Sequence, residues 1–340
     1  MTLNRCGSRT LVLSSPVYLV GGGSAVGRRE GEGPLPPFFD YIAADDSLGC
    51  PTWEQSEQEF QKKALSLALD QAGLTADRLD ALFAGDLLNQ CVASSFAARG
   101  LDIPYLGLYG ACSTFGEGLI LAAMALDGGF FSSAGVAASS HFCTAERQYR
   151  TPLEYGGQRT PTAQWTVTGA GASILSREGS GPRITHLTPG KIVDLGITDT
   201  GNMGAAMAPA ACDTIAAHLK DSGRSPDFYD LIVTGDLGSL GSQLLLELLG
   251  REGISLSNHR DCGMLIFDPS TQDIHAGGSG AGCCACVLNG YLMNGLRSGH
   301  WKNLLFCPTG ALHSPTTALQ GDSIPGICHA VAITTEQEDA

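Results

Sequence analysis

A chain of 340 residues with 43% hydrophobic and only 16% charged residues carries ample apolar material to fold. It suffices for one large domain or two closely packed ones, since single cores stop growing near ~250–300 residues. Its 34 acidic against 20 basic residues give a formal charge of −14, which removes the attraction that general binding to a phosphate backbone needs and excludes nucleic acid as an expected partner. No window approaches the ~18–20 apolar residues that cross a bilayer, and the longest such run, residues 119–126, is far shorter. With 45 Gly against 12 Phe, 8 Tyr and 3 Trp, close helix–strand packing of small residues is expected.

In chain order, the apolar stretches 11–13 and 17–20 are split by Ser14, Ser15 and Pro16. A secretory signal is therefore not expected, and 17–20 reads as a short strand. Phe60, Ala64, Leu67, Ala68 and Gln71 give 53–72 a helical pattern that ends at Gly73. A strand over 80–84 closed by Gly85, a helix over 92–99, a strand over 105–109, a helix over 115–126 and a strand over 134–139 follow. Residues 152–161 break the pattern and read as a long surface or lid loop, and 167–175 returns to strand. In the second half, helices are expected over 205–220, 243–249 and 282–296, with strands over 231–234, 264–267, 304–307 and 329–333. Such βα alternation predicts an α/β fold whose sheet is largely parallel and covered by helices.

The two halves echo each other. Residues 79–87 lie beside 229–237 with Asp80/Asp230, Gly85/Gly235, Asp86/Asp236 and Leu87/Leu237 identical, and the small-residue turn 110–117 beside 277–283. The expectation is a duplicated βα core, with halves 1–178 and 179–340. Twelve cysteines are spread along the chain, which favours reduced, buried thiols. Cys283, Cys284 and Cys286 lack the spacing of a zinc site and read as small-residue helix packing.

The sharpest local feature is Gly110-Ala-Cys-Ser-Thr114 entering an apolar helix. A helix start there offers Cys112 free N–H groups and a positive dipole end, both of which favour a thiolate, and Thr114 with Glu117 has capping-box spacing. Cys112 is placed as a nucleophile or as part of an anion site; a buried cysteine in a tight turn is the alternative. His141 stands at a strand end, where it either faces a ligand or is a satisfied core histidine. Arg147 and Arg150, among Glu146, Glu154 and Arg159, offer guanidinium forks for carboxylates or pair locally on a solvated loop. His313, after the strand 304–307, is a third candidate.

Taken together, Gly85-Asp-Leu-Leu-Asn-Gln90, Gly110-Ala-Cys-Ser-Thr114, Ser139-Ser-His141, Thr144-Ala-Glu-Arg-Gln148, Glu154-Tyr-Gly-Gly-Gln158, Thr166-Val-Thr-Gly-Ala170, Ala206-Met-Ala-Pro-Ala-Ala211 and Ala276-Gly-Gly-Ser-Gly280 resemble the thiolase and ketoacyl-synthase superfamily. Within it, the ordered set is similar to the stage V sporulation protein AD family, over residues 16–333. The resemblance implies a thiolase-like αβαβα five-layer sandwich and a homodimer. It also implies a role in moving dipicolinic acid, or its calcium chelate, into the forespore. The partners implied are other proteins of the uptake complex, peripherally at the inner spore membrane, with no resident cofactor.

Condensing relatives set a His and an Asn around the cysteine to stabilise an enolate. Here the corresponding turns read Gly235-Asp236-Leu237-Gly238 and Gly277-Gly278-Ser279-Gly280, and losing such donors costs ~10²–10³ in rate each. A binding protein without catalysis is therefore expected, with Cys112-dependent acyl transfer as the alternative. Dipicolinate is a planar aromatic dianion, and the resemblance puts it near Cys112, Ser113, Thr114, Asp236 and Gly278. One carboxylate would meet the helix start and the other Arg147, Arg150 or His141, with His313 at the same crevice. Asp86 and Asp236 suit calcium if it accompanies the ligand; holding their own turns is the alternative.

Overall fold

The structure is a computed structural model, and it describes residues 5–149 and 159–336. The first half supplies β1 (Thr10–Val26), α1 (Trp53–Ala72), β2 (Ala81–Gly85), α2 (Val92–Ala98), β3 (Tyr105–Gly107), α3 (Thr114–Asp127), β4 (Ser133–Ser140), α4 (Phe142–Tyr149) and β5 (Gly169–Ser176). The second supplies β6 (Arg183–Thr188), α5 (Met203–Ser222), β7 (Leu231–Thr234), α6 (Gly238–Arg251), β8 (His259–Asp261), α7 (Ala281–Val287), β9 (Asn303–Cys307) and β10 (Ala330–Thr334). Among the described residues, no helix is long and apolar enough to cross a membrane.

The strands pair in the order β8-β7-β9-β10-β6-β1-β5-β4-β2-β3, so the second half repeats the strand order of the first. Local chemistry repeats as well. Thr52 and Asn202 cap α1 and α5 through Gln55 N and Ala205 N, and Gly73 and Gly223 end them at φ 65° and 67°. The Asp80/Asp230 identity has a physical reason. Asp80 accepts from Ser132 N and Ser133 N, while Asp230 accepts from Lys302 N and Asn303 N, so each carboxylate holds the start of the neighbouring strand.

Alternating burial separates the layers. Leu231, Val233, Leu304, Phe306, Val331 and Ile333 turn inward, onto a central core with Phe115 and Leu119 of α3 and Cys283 and Val287 of α7. Ile232, Leu305 and Ala332 turn outward onto Met207, Ala211 and Ile215 of α5. In the first half, Leu82 and Ile174 meet Phe60, Ala64 and Ala68 of α1. Helices therefore cover both outer faces and fill the middle, the five-layer arrangement. Small residues permit the close approach: a Cβ on Gly171 would lie 2.2 Å from the Ala285 carbonyl of α7. Cys283, Cys284 and Cys286 are buried in that same helix.

Two expectations are corrected. The sheet is mixed: β2 pairs in parallel with β3 and β4, and β7 with β8 and β9, whereas every pairing between them along the path is antiparallel. Parallel pairing needs a crossover, and the βα alternation lapses after β4 and β9, where the chain turns back. Residues 264–267 are not a strand either. Cys262–Leu265 is a helical turn following β8, and an apolar run that short does not distinguish the two. Residues 152–158 of the expected lid loop lie outside the described residues.

Candidate functional site

The turn between β3 and α3 is wound on its own hydroxyls. Ser113 Oγ donates to Gly110 O (2.7 Å), while Thr114 Oγ1 donates to Ala111 O (2.7 Å) and accepts from Gly110 N (3.0 Å). Ser113 and Thr114 are thus spent on the turn. The expected capping box is absent, because Thr114 is the first helical residue and Ser113, which precedes it, makes no side-chain cap bond. Ala111 sits at φ 51°, a left-handed conformation that costs of order 1 kcal/mol or more in a non-glycine residue and that sets Cys112 at the apex.

The equivalent turn of the second half, leading into α7, meets it. Ser279 Oγ lies 3.7 Å from Cys112 Sγ and donates to Asp236 Oδ2 (2.7 Å). Gly280 N donates to the same oxygen (3.1 Å) and Thr309 Oγ1 to Oδ1 (2.8 Å). Asp236 is buried, and burial raises its pKa against these bonds. Cys112 is 6% exposed, and burial first, then the Asp236 charge, pushes its thiol well above the ordinary cysteine value. The helix start does not compensate, so the expected thiolate is replaced by a neutral thiol beside the Ser279 hydroxyl, which itself donates to the Asp236 carboxylate.

Above the sulfur opens a cavity of about 430 Å³, lined by Cys112, Ser279, Leu87, Tyr109, Glu146, Tyr149, Arg159, Gln164, Asp199, Met203 and His313 among others. Tyr149 Oη donates to Leu87 O and lies 2.9 Å from Tyr109 Oη. The His313 ring tilts over Tyr149 at 5.4 Å, and burial lowers its pKa. Arg159 enters from Trp165, 4.7 Å from its ring, and donates to Asp273 O (2.8 Å).

Of the residues singled out from sequence, the structure brings Cys112 and His313 to this cavity, with Asp236 beneath the sulfur. Gly278 lies behind Ser279, paired with Trp165. His141 is elsewhere: its ring lies 5.2 Å from Trp53 and 6.3 Å from Phe60. Its Nδ1 accepts from Cys143 N, so Nε2 donates to Asp46 O (3.1 Å), and it is a satisfied core histidine. Arg147 pairs with Glu54 instead of lining the cavity. Arg150 and Glu154 lie outside the described residues. Asp86 accepts from Leu88 N, Ser94 N and Ser94 Oγ, the turn-holding role. Among the described residues, no three His, Cys, Asp or Glu side chains are grouped to hold a metal ion. Tyr109, Tyr149 and Asp199 had not been singled out, and Arg159 stood only as one member of a charged cluster.

The model of the family described as stage V sporulation protein AD (SpoVAD) matches residues 7–334. The chain belongs to this family of sporulation proteins. It is 45% identical over 326 residues to stage V sporulation protein AD of Bacillus subtilis (strain 168), covering 96% of each chain. Solved structures share the fold at low identity. The 3-oxoacyl-[acyl-carrier-protein] synthase III of Aquifex aeolicus VF5 matches at 13% identity with a TM-score of 0.57, over 94% of this chain and 100% of that one. Cerulenin-soaked OleA of Xanthomonas campestris matches at 16% identity with a TM-score of 0.61, over 95% and 100%. The fold is thus that of the thiolase-like synthases.

Proposed function

We propose that this sporulation protein is a non-catalytic binding protein for dipicolinic acid or its calcium chelate, and that it serves the ligand's uptake into the forespore. The observation that carries the reading is a synthase-type cavity kept open above a sulfur whose thiol burial, and then the Asp236 charge, push well above the ordinary cysteine value. Such a site has room for a small ligand and lacks an armed nucleophile. Arg159, held by an ion pair with Asp273 (3.2 Å), brings a guanidinium to the lining, while Tyr109, Tyr149, Leu87, Ala311 and Met203 supply wall for a ring. Glu146 and Asp199 on the same lining suit a chelate whose calcium accepts further oxygen ligands.

A homodimer and a peripheral place at the inner spore membrane, beside other uptake proteins, belong to the same proposal. Support for a second copy comes from β3, which ends the sheet, and from Phe96, Leu106 and Tyr109 exposed around it.

Calorimetric titration of the full chain with dipicolinate, with and without calcium, tests the reading. Saturable binding is expected. Arg159→Ala should weaken it by about 30-fold, the ~2 kcal/mol lower end for removing one partner of a buried charged hydrogen bond. Arg147→Ala should leave it unchanged. No heat from folded protein would sink the proposal. The fold of the synthases favours one other reading, acyl transfer through Cys112. A Cys112 adduct formed from an acyl-CoA and discharged by a second thioester, followed by mass spectrometry, would establish that instead.

A further inference from the structure

Strand β9 runs from Asn303 to Cys307, and the Cys112 cavity lies at its far end, where Thr309 meets Asp236. At the near end is a separate cavity of about 260 Å³, bounded by Arg224, Phe228, Tyr229, Asn303, Ala332 and Glu336 among others. The guanidinium of Arg224 stacks 4.2 Å over Phe228, and its Nη1 donates to Tyr229 Oη (3.2 Å). Because an arginine only donates, the Tyr229 hydroxyl gives its proton to His218 Nε2 (2.5 Å). His218 Nδ1–H then donates to Thr188 Oγ1 (2.7 Å), which lies 2.8 Å from Thr10 Oγ1. His218, Tyr229, Thr188 and Thr10 are all buried.

The duplication supplies an internal control. Residue for residue, His218, Arg224 and Tyr229 correspond to Ala68, Leu74 and Leu79 of the first half, which close the same junction as part of a hydrophobic cluster. The fold therefore does not require a polar chain here. Burying one without need costs desolvation, and what this one achieves is to fix the Tyr229 hydroxyl and aim Arg224 at the cavity. Among the described residues, Arg224 forms no ion pair with a carboxylate. Glu336 at the rim is engaged by Lys302 (3.5 Å) and by Asn303 Nδ2 (3.2 Å).

We propose that this cavity is a second ligand site, for a small monocarboxylate with an apolar or aromatic body. The guanidinium of Arg224 holds the carboxylate, and the body lies against Phe228 and Ala332. One guanidinium and a carboxylate at the rim favour a single negative charge over a dianion.

Benzoate is the probe. Titrated into the full-length protein labelled with ¹⁵N-histidine, it is expected to shift the His218 ring nitrogens, which are joined to the cavity through the Tyr229 hydroxyl. Arg224→Gln should weaken that response at least ten-fold, Arg224→Lys should restore part of it, and Arg159→Gln, in the Cys112 cavity, should leave it unchanged. Thermal melts that overlay wild type establish that Arg224→Gln is folded; if it is not, Tyr229→Phe serves in its place, and benzoate affinity measured by calorimetry should fall several-fold. A wild-type protein whose His218 signals ignore benzoate, or a response lost in Arg159→Gln and kept in Arg224→Gln, overturns the proposal.

Discussion

Asp236→Asn is expected to make Cys112 alkylate with iodoacetamide about 10–10³ times faster than wild type at pH 8, followed by mass spectrometry of the Cys112 peptide. A neighbouring like charge disfavours the thiolate by roughly 1–3 pKa units, and Asp236 is the largest cause after burial of the raised Cys112 pKa. Asparagine keeps an oxygen for Gly280 N and Ser279 Oγ, while Thr309 Oγ1 can accept in place of donating. The variant should therefore fold, and burial leaves its thiol above an exposed one. Ser279→Ala is the matched control: it removes the neutral neighbour of the sulfur and leaves the Asp236 charge in place, so it should not give the acceleration expected of Asp236→Asn. Equal rates in wild type and Asp236→Asn would mean that burial alone silences the sulfur. The proposed non-catalytic reading would then have to rest on the His and Asn that the resemblance leads one to expect around the sulfur and that the turns at Asp236 and Ser279 replace.

The elements that were legible in the sequence are those whose signals are local. Helix α1 runs over the residues its apolar spacing and Gly73 mark, and β7 is where three apolar residues and Thr234 precede Gly235. The Asp80/Asp230 echo exposed the duplication because each carboxylate does the same job in its half. Strand β6 was not legible, since Arg183, Thr185 and His186 interrupt its apolar pattern. At the site, the turn around Cys112 was legible as a turn. Its electrostatics were not, because Asp236 comes from a different strand end and reaches the sulfur only through the meeting of two turns. His141 and Arg147 were attractive by residue type, yet their partners, Trp53, Phe60 and Glu54, all come from α1, which no short window contains. Arg159 lines the cavity because Trp165, six residues on, and Asp273, from the second half, brace it.

Stability is expected to be level from about pH 5 to 6.5 and then to fall towards pH 8. Burial, then the charge of Asp86, pushes Glu57 up to about 8, although Ser139 and Thr144 donate to it. Burial likewise pushes Glu30 to about 8 and, with the Asp236 charge adding to it, Asp261 to about 7. These folded-state pKa values lie above those of the unfolded chain. The fold therefore binds protons that the unfolded chain has already released, and the advantage is lost as pH rises. Four buried or half-buried histidines act in the opposite sense. His218 is lowered to about 3, and His186, His259 and His329 to about 4, each chiefly by burial, so their contribution is lost as pH falls below 6.5. Below that point the two sets oppose each other; above it only the acids titrate. Between pH 6.5 and 8, a carboxyl held near 8 contributes up to about 2 kcal/mol of the decline, at 1.36 kcal/mol per unit. Glu57→Gln, whose amide still accepts from one of the two hydroxyls, should remove about that much of the slope while matching wild type near pH 5. Urea midpoints measured across this range decide it: a variant whose curve runs parallel to wild type would mean that Glu57 is already ionised in the fold, with its charge carried by Ser139 and Thr144.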